Sequence, residues 1–394
     1  MERFESTRRD LFKIAGVAAL GSLVPEFAAA QAVPAQHATR VVASPVALTR
    51  CETYGVPAVM AGLKAMLDNL GGFNRLVAGK TVGVKINMTG SPGGPALGLA
   101  PGRTYQTHPD VILAMAILLD GAGARRIRFM EGTYSRSPIE STLLSAGWDL
   151  KALGALRTPV EFEDTRNSAG KPYALLKVPG GGDLFPAYQI NRSYVDCDVF
   201  ISIAKLKNHR TAGVTLTMKN CFGITPTSLY GSHNANENFI GARFAVIHAG
   251  TEHPSYGVPQ ELHPDSPRVE SYRVPRHIVD IAGIRPIDLA IIDGIETIAC
   301  GEGPWYTGLK LQQPGLLVAG RNSVSTDAIG TVCMGYNPMA KAATGPFPGD
   351  NHLELAATRG LGIHDPHKIE VRGLGTTLKN AIHPFQWQPD RRNT

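Results

Sequence analysis

The sequence predicts an α/β fold: a mainly parallel sheet with crossover helices, in a two-part architecture. Two observations predict it. From Thr81 to Ala146, strand-like and helix-like segments alternate with short links, as right-handed crossover units require. Further on, the apolar runs VFISIA (199–204), PIDLAII (286–292) and GLLVA (315–319) have the length and turn-rich flanks of buried strands.

The elements follow in order. Residues 33–50 read as an extended leader. Pro57 to Leu70 places Val59, Met60, Leu63, Met66, Leu67 and Leu70 at helical spacing, and Gly71-Gly72 stops it. Thr81 to Asn87 (TVGVKIN) reads as a strand. Pro109 to Leu119 reads as a helix capped by Thr107 and closed by Gly121-Ala122-Gly123. Arg125 to Glu131 is the next strand and Pro138 to Ala146 the next helix. Val195 to Ala204 contains another strand. Residues 223–284 are expected to be loop-rich, and Ser325 to Met334 reads as a helix.

The chain has 394 residues, and about 150 residues per domain gives a prior of two domains. The expected division is 1–32 as an address, 33–50 as leader, 51–284 as an α/β domain with the site, and 285–394 as an α/β part completing the cleft. A composition of 43% hydrophobic and 18% charged residues excludes disorder as the main state. Five Cys are too few, and odd in number, for a disulfide scaffold. The net charge of +6 fits an anionic ligand. No dense basic run with interleaved aromatics appears, which argues against nucleic acid.

The N-terminus reads as an export signal. Arg3, Arg8, Arg9 and Lys13 precede the apolar run Ile14–Val24, whose 11 residues are too short for a permanent span. Ser6-Thr7-Arg8-Arg9-Asp10-Leu11-Phe12-Lys13 resembles a twin-arginine signal. That resemblance implies recognition by the twin-arginine export machinery and export in the folded state. The place is then periplasmic or otherwise extracytoplasmic, with no stable membrane span after cleavage. Folding before export also lets a cofactor be loaded first.

The chemistry-bearing stretch is Asp198–Pro226, DVFISIAKLKNHRTAGVTLTMKNCFGITP. An apolar strand ends in a basic tip, where alternation puts Lys205, Lys207 and His209 on one face. Gly213–Asn220 alternates again, setting Thr215, Thr217 and Lys219 opposite Val214, Leu216 and Met218. Together with Asn220 these make a cationic, hydroxyl-rich surface suited to a carboxylate, phosphate or enolate. A solvated basic strand end is the plainer alternative. Lys85 and Asn87 end an early strand and are candidate neighbours, as are Tyr134 and Arg136 after the strand ending at Glu131. Asp293 either adds a carboxylate or caps a turn with Gly294. Asp327 is expected near a helix N-terminus, stabilised by the dipole.

Several of these motifs resemble the domain of unknown function 362 family: KLKNH, GVTLTMKNCFGITP, Asp293-Gly294, Gly301-Glu302-Gly303-Pro304 and Asp327-Ala328. Val84-Lys85-Ile86-Asn87 and His108-Pro109-Asp110 match its N-terminal part. The resemblance implies no settled activity. Some relatives carry ferredoxin-like Cys runs; this chain has no CxxC, so no iron–sulfur cluster of that kind is expected.

A more distant resemblance is to lactate racemase-like nickel-pincer proteins. His209 and Lys219 stand ten residues apart, with His233 14 residues later, and Glu131-Gly132-Thr133-Tyr134-Ser135-Arg136 follows an early strand. The resemblance implies Lys219 as tether of a nickel-pincer nucleotide, His233 as metal ligand and His209 as acid/base group. Tyr134 stands where that family's motif has a His, and it is counted with Lys219 and His209 as a catalytic candidate. A divalent metal held by His233, with His248 and His253, is the other cofactor reading, although spacings of 15 and five match no zinc template. Gly-x-Gly-x-x-Gly is absent after the early strands, so NAD is not expected. Two functions remain open. One is an enzyme, an isomerase or oxidoreductase, acting on a small anionic molecule by proton or hydride transfer. There Lys219 stabilises negative charge or tethers the cofactor, and His209 moves the proton. The other is a non-catalytic envelope binding or assembly protein with a basic ligand cleft.

Overall fold

Period-two and period-3.6 segments alternate through most of the chain and build one central sheet. The computed structural model describes residues 44–133, 135, 137–166, 172–231, 243–374 and 378–386. The expected export segment, most of the leader, Tyr134, Arg136 and His233 lie outside them.

Eight strands form the sheet: β1 (Val46–Arg50), β2 (Thr81–Lys85), β3 (Arg126–Glu131), β4 (Val160–Asp164), β5 (Val199–Lys205), β6 (Leu289–Gly294), β7 (Leu316–Gly320) and β8 (Val371–Arg372). Their order is β8-β1-β7-β6-β5-β2-β3-β4. β7 runs antiparallel to its neighbours β1 and β6, and every other pairing is parallel. The fold is therefore α/β with a mainly parallel sheet. The end of the expected leader is itself a strand, because Val46, Ala47 and Leu48 are fully buried between β7 and β8.

Both sheet faces are covered. The helices α1 (Val56–Asn69), α2 (Pro109–Gly121), α3 (Ile139–Ser145) and α4 (Leu150–Gly154) lie on one face. There Val199, Ile201 and Ile203 of β5 join Val82, Val84, Ile127 and Phe129 in one core. On the other face Phe200, Ala290, Ile292 and Val318 pack with α5 (Glu270–Ile284) and α6 (Ser323–Cys333). The two-residue alternation of β5 feeds both cores, each large aliphatic side chain contributing about 1.5–3 kcal/mol of burial.

Two local expectations are corrected. The cap of α2 is His108, whose Nδ1 accepts from the Asp110 amide at 3.1 Å. Thr107 is committed elsewhere, its hydroxyl donating to the Ile203 carbonyl at 3.1 Å. The stretch 223–284 is not simply loop-rich, since α5 occupies its last 15 residues and buries Val274, Ile278 and Ile281. Pro275 and a polar start hid that helix; Pro275 removes one helical bond, and the freed Ser271 carbonyl accepts from the Asp350 amide at 3.0 Å instead. None of the described helices is long and apolar enough to cross a membrane. All described residues belong to one compact unit, and strands from 285–394 are interleaved with those from 51–284 in one sheet.

Candidate functional site: a cationic cleft at the strand ends

Strands β2, β3 and β4 step outward in one direction, whereas β5 and β6 lie on the other side of β2. Parallel sheets bind ligands outside the carboxyl ends of their strands at such a reversal. A cleft of about 230 Å³ opens there, lined by residues that follow β2, β3 and β5. Its walls carry the cations Lys85, Lys207, Lys219 and Arg243 against the carboxylates Glu131 and Glu302.

The four sequence-predicted lysines differ in how many ammonium protons are committed. Lys205 is wholly buried and donates to Asp293 (3.0 Å), the Tyr54 hydroxyl (2.8 Å) and the Gly102 carbonyl (2.6 Å). All three protons are used. Asp293, also fully buried, additionally accepts from Tyr54 and the His108 amide. Lys205 and Asp293 are thus corrected from ligand-binding to structural: strand register sets them side by side, and neither lines the cleft.

Lys85 lines the cleft but is also saturated, by Glu131 (2.8 Å), the Ile86 carbonyl (2.6 Å) and Asn220 Oδ1 (3.2 Å). Glu131 further accepts from the Met88 and Gly132 amides, both at 2.9 Å, tying the exits of β2 and β3 together. Gly223 packs closely beside this pair. A Cβ there would stand 3.2 Å from Lys85 Cε and 3.5 Å from Glu131 Oε1. Lys207 donates to the Tyr105 (2.7 Å) and Glu302 (3.1 Å) carbonyls, leaving one proton. Burial pushes its pKa down, Glu302 opposes this, and Lys219 and Lys205 add to the depression.

Lys219 has no hydrogen-bond partner among the described residues. Its Nζ lies 4.2 Å from the Phe222 ring centroid, a cation–π contact. Burial lowers its pKa to about 8, with Glu302 opposing and Arg243 and Lys85 reinforcing. The expected strand alternation does not deliver it. Gly213–Val214 pairs briefly with Asn208–His209, and the chain then turns into one helical turn, Thr217–Asn220. The reason is Asp327 in the middle of α6. Its buried carboxylate accepts from the Thr217 amide (2.9 Å), the Thr217 hydroxyl (2.6 Å) and the Met218 amide (2.8 Å). Asp327 therefore caps a turn other than its own helix, and burial raises its carboxyl to about 7. Thr217 is drawn out of the predicted row, while Thr215, Lys219 and Asn220 line the cleft.

His209 lines it too, but its tautomer is fixed. The Thr211 and Ala212 amides donate to Nδ1 at 3.1 and 3.2 Å. Burial, then Lys219 and His248, holds the ring well below its ordinary pKa. The neutral ring therefore carries its proton on Nε2 and offers a donor, not a base. This reverses the proton-moving role expected from sequence.

Sequence reasoning did not place Arg243, Phe222 or Glu270 at the site. Arg243 donates to the Thr225 and Gly223 carbonyls. Glu270, at the start of α5, accepts from Thr211 at 2.7 Å and lies 3.7 Å from His248 Nδ1. These contacts, the His248 proton foremost, hold its pKa near about 2. Arg243 and Glu270 come from elements distant in the chain that no local pattern announces, whereas Phe222 follows Lys219 by three residues and its spacing was a usable signal.

For the nickel-pincer expectation, the free Lys219 amine fits a tether. Among the described residues, however, no three His, Cys, Asp or Glu converge to hold a metal ion, and His233 lies outside them. The described residues thus offer an amine with no hydrogen-bond partner and no cluster of metal-ligating side chains.

The thylakoid-associated protein sll1697 of Synechocystis sp. is 30% identical over 183 residues, covering 46% of this chain and 50% of that protein. This chain thus matches about half the length of that relative. The lactate racemase apoprotein of Thermoanaerobacterium thermosaccharolyticum is a distant structural likeness. Its identity is 15% and its TM-score 0.35, covering 70% of this chain and 54% of that one. A Thermotoga maritima crystal structure gives 11% and 0.33, covering 67% and 56%. The family described as a domain of unknown function (DUF362) matches residues 82–332, and the chain belongs to it.

Proposed function

We propose that this protein is an extracytoplasmic enzyme that moves a proton at a carbon beside the carboxylate or carbonyl of a small anionic substrate. One observation carries the reading. In a cleft where Lys85 is saturated and Lys207 nearly so, Lys219 presents an amine with no partner among the described residues. With Lys219 as the free amine, Lys85, Lys207 and Arg243 still outnumber the two carboxylates and attract the anion. Lys219 takes the proton as the free amine. Lys207, through its remaining proton, and His209, through Nε2–H, stabilise the charge that develops on oxygen. Export is supported by the Arg8-Arg9 motif and by a relative described as thylakoid-associated. The twin-arginine route and a periplasmic location are the specific form of this proposal.

The test is exchange of carbon-bound hydrogen in deuterium oxide, followed by NMR, over a panel of two- to four-carbon 2-hydroxy, 2-oxo and 2-amino carboxylates. The expected result is catalysed exchange with at least one class. Because Lys219 acts as the free amine and Lys207, lowered to about 7, acts through its ammonium proton, the rate is highest between about 7 and about 8 and falls about tenfold per pH unit on either side. No exchange with any class removes the catalytic reading and leaves a binding protein.

A further inference from the structure

Hydrogen-bond polarity on the cleft floor fixes what a ligand must bring. Lys85 is an ammonium and only donates. It reaches Asn220 at 3.2 Å, so the Asn220 atom there is the oxygen. The Asn220 nitrogen correspondingly faces acceptors: the Ser202 hydroxyl (3.0 Å) and the Lys85 and Ile203 carbonyls (both 3.4 Å). Asn87 approaches the same Asn220 oxygen at 3.2 Å and must therefore present its own nitrogen. The atom left over, Asn87 Oδ1, is an acceptor without a donor among the described residues. Thr215 Oγ1 is likewise without a partner. Both residues line the cleft and are more than nine-tenths buried, at 6% and 3% exposure. Thr215 is also held beside Lys207, its amide donating to the Lys207 carbonyl at 2.8 Å.

A buried acceptor left unpaired is costly, and a ligand that supplies the missing donor removes that cost. The donor is a hydroxyl rather than an ammonium, because a second cation would enter a wall already in positive excess. We infer that Asn87 and Thr215 form a hydroxyl-recognising subsite, so that the ligand of this cleft is a hydroxylated anion. The inference rests on the anion-cleft reading above but not on catalysis.

Calorimetric titration of the full chain with matched pairs tests it: glycerate against propionate, and glycerol 3-phosphate against propyl phosphate. The expected result is about tenfold or more tighter binding of the hydroxylated member in at least one pair, and that pair identifies the anionic group. In Asn87→Leu the preference falls to about one, because the hydroxylated member loses its acceptor and its affinity drops to that of the deoxy member. Thr215→Val, a smaller change of shape, reduces the preference in the same direction. Equal affinity within both pairs in the wild type, or no binding of any of the four, overturns the subsite without recourse to a variant. A preference that survives in both variants overturns the assignment to these residues. Hydrogen exchange without hydroxyl preference defeats this inference alone, and preference without exchange defeats only the catalytic reading.

Discussion

Lys219→Met is expected to lower catalysed hydrogen exchange by about 10²–10⁴-fold, the range for removing a positioned acid–base group. The side chain keeps its length and its contact with Phe222, so the fold is retained. Asp327 still caps the turn through the Thr217 and Met218 amides, which the substitution does not touch. Circular dichroism and the urea midpoint therefore stay near wild type while exchange is lost. The contrast with Lys85→Met is informative. Lys85 has its three protons committed to Glu131, Ile86 and Asn220, so its removal shifts stability and geometry together. Retained exchange in Lys219→Met would move the proton-transfer role to another group, with His248, the cleft-lining imidazole beside Glu270, the first candidate.

Asp293→Ala is expected to be the most destabilising single change, costing about 3–5 kcal/mol. Both partners of the Lys205–Asp293 pair are fully buried, and truncation leaves the ammonium without its counter-charge. The Tyr54 hydroxyl and the His108 amide lose an acceptor as well. Lys205→Met added to Asp293→Ala recovers part of the loss, because the stranded charge is gone while those donors remain unmet. Urea unfolding monitored by fluorescence measures both. A near-neutral Asp293→Ala contradicts the structural role assigned to the pair.

How much the sequence disclosed depended on the range of the interactions involved. The runs VFISIA and GLLVA could be read as strands because both sheet faces are covered, which removes polar alternation and leaves continuous apolar residues. The direction of β7 was less evident, although a signal exists: no helix-period run lies between β6 and β7, so no crossover joins them. Lys207, His209 and Lys219 could be grouped because they sit in one short segment. Lys205 shares their alternation, but its fate is set by Asp293, 88 residues away. The turn carrying Lys219 is likewise set by Asp327, 110 residues from Thr217, which no local periodicity encodes. Arg243 and Glu270 carry no pattern of their own and become visible only when α5 packs behind the cleft.

The claim on which the account rests is that Lys219 is a free, depressed amine facing an anion-attracting cleft. Competitive acylation of the intact protein across pH 6 to 11, read by peptide mass spectrometry with exposed Lys64 as internal reference, measures this directly. The account predicts that Lys219 labelling follows a midpoint near about 8 and is suppressed by a small hydroxylated carboxylate. A midpoint near the ordinary lysine value of about 10.4, with no protection by any anion, would contradict it.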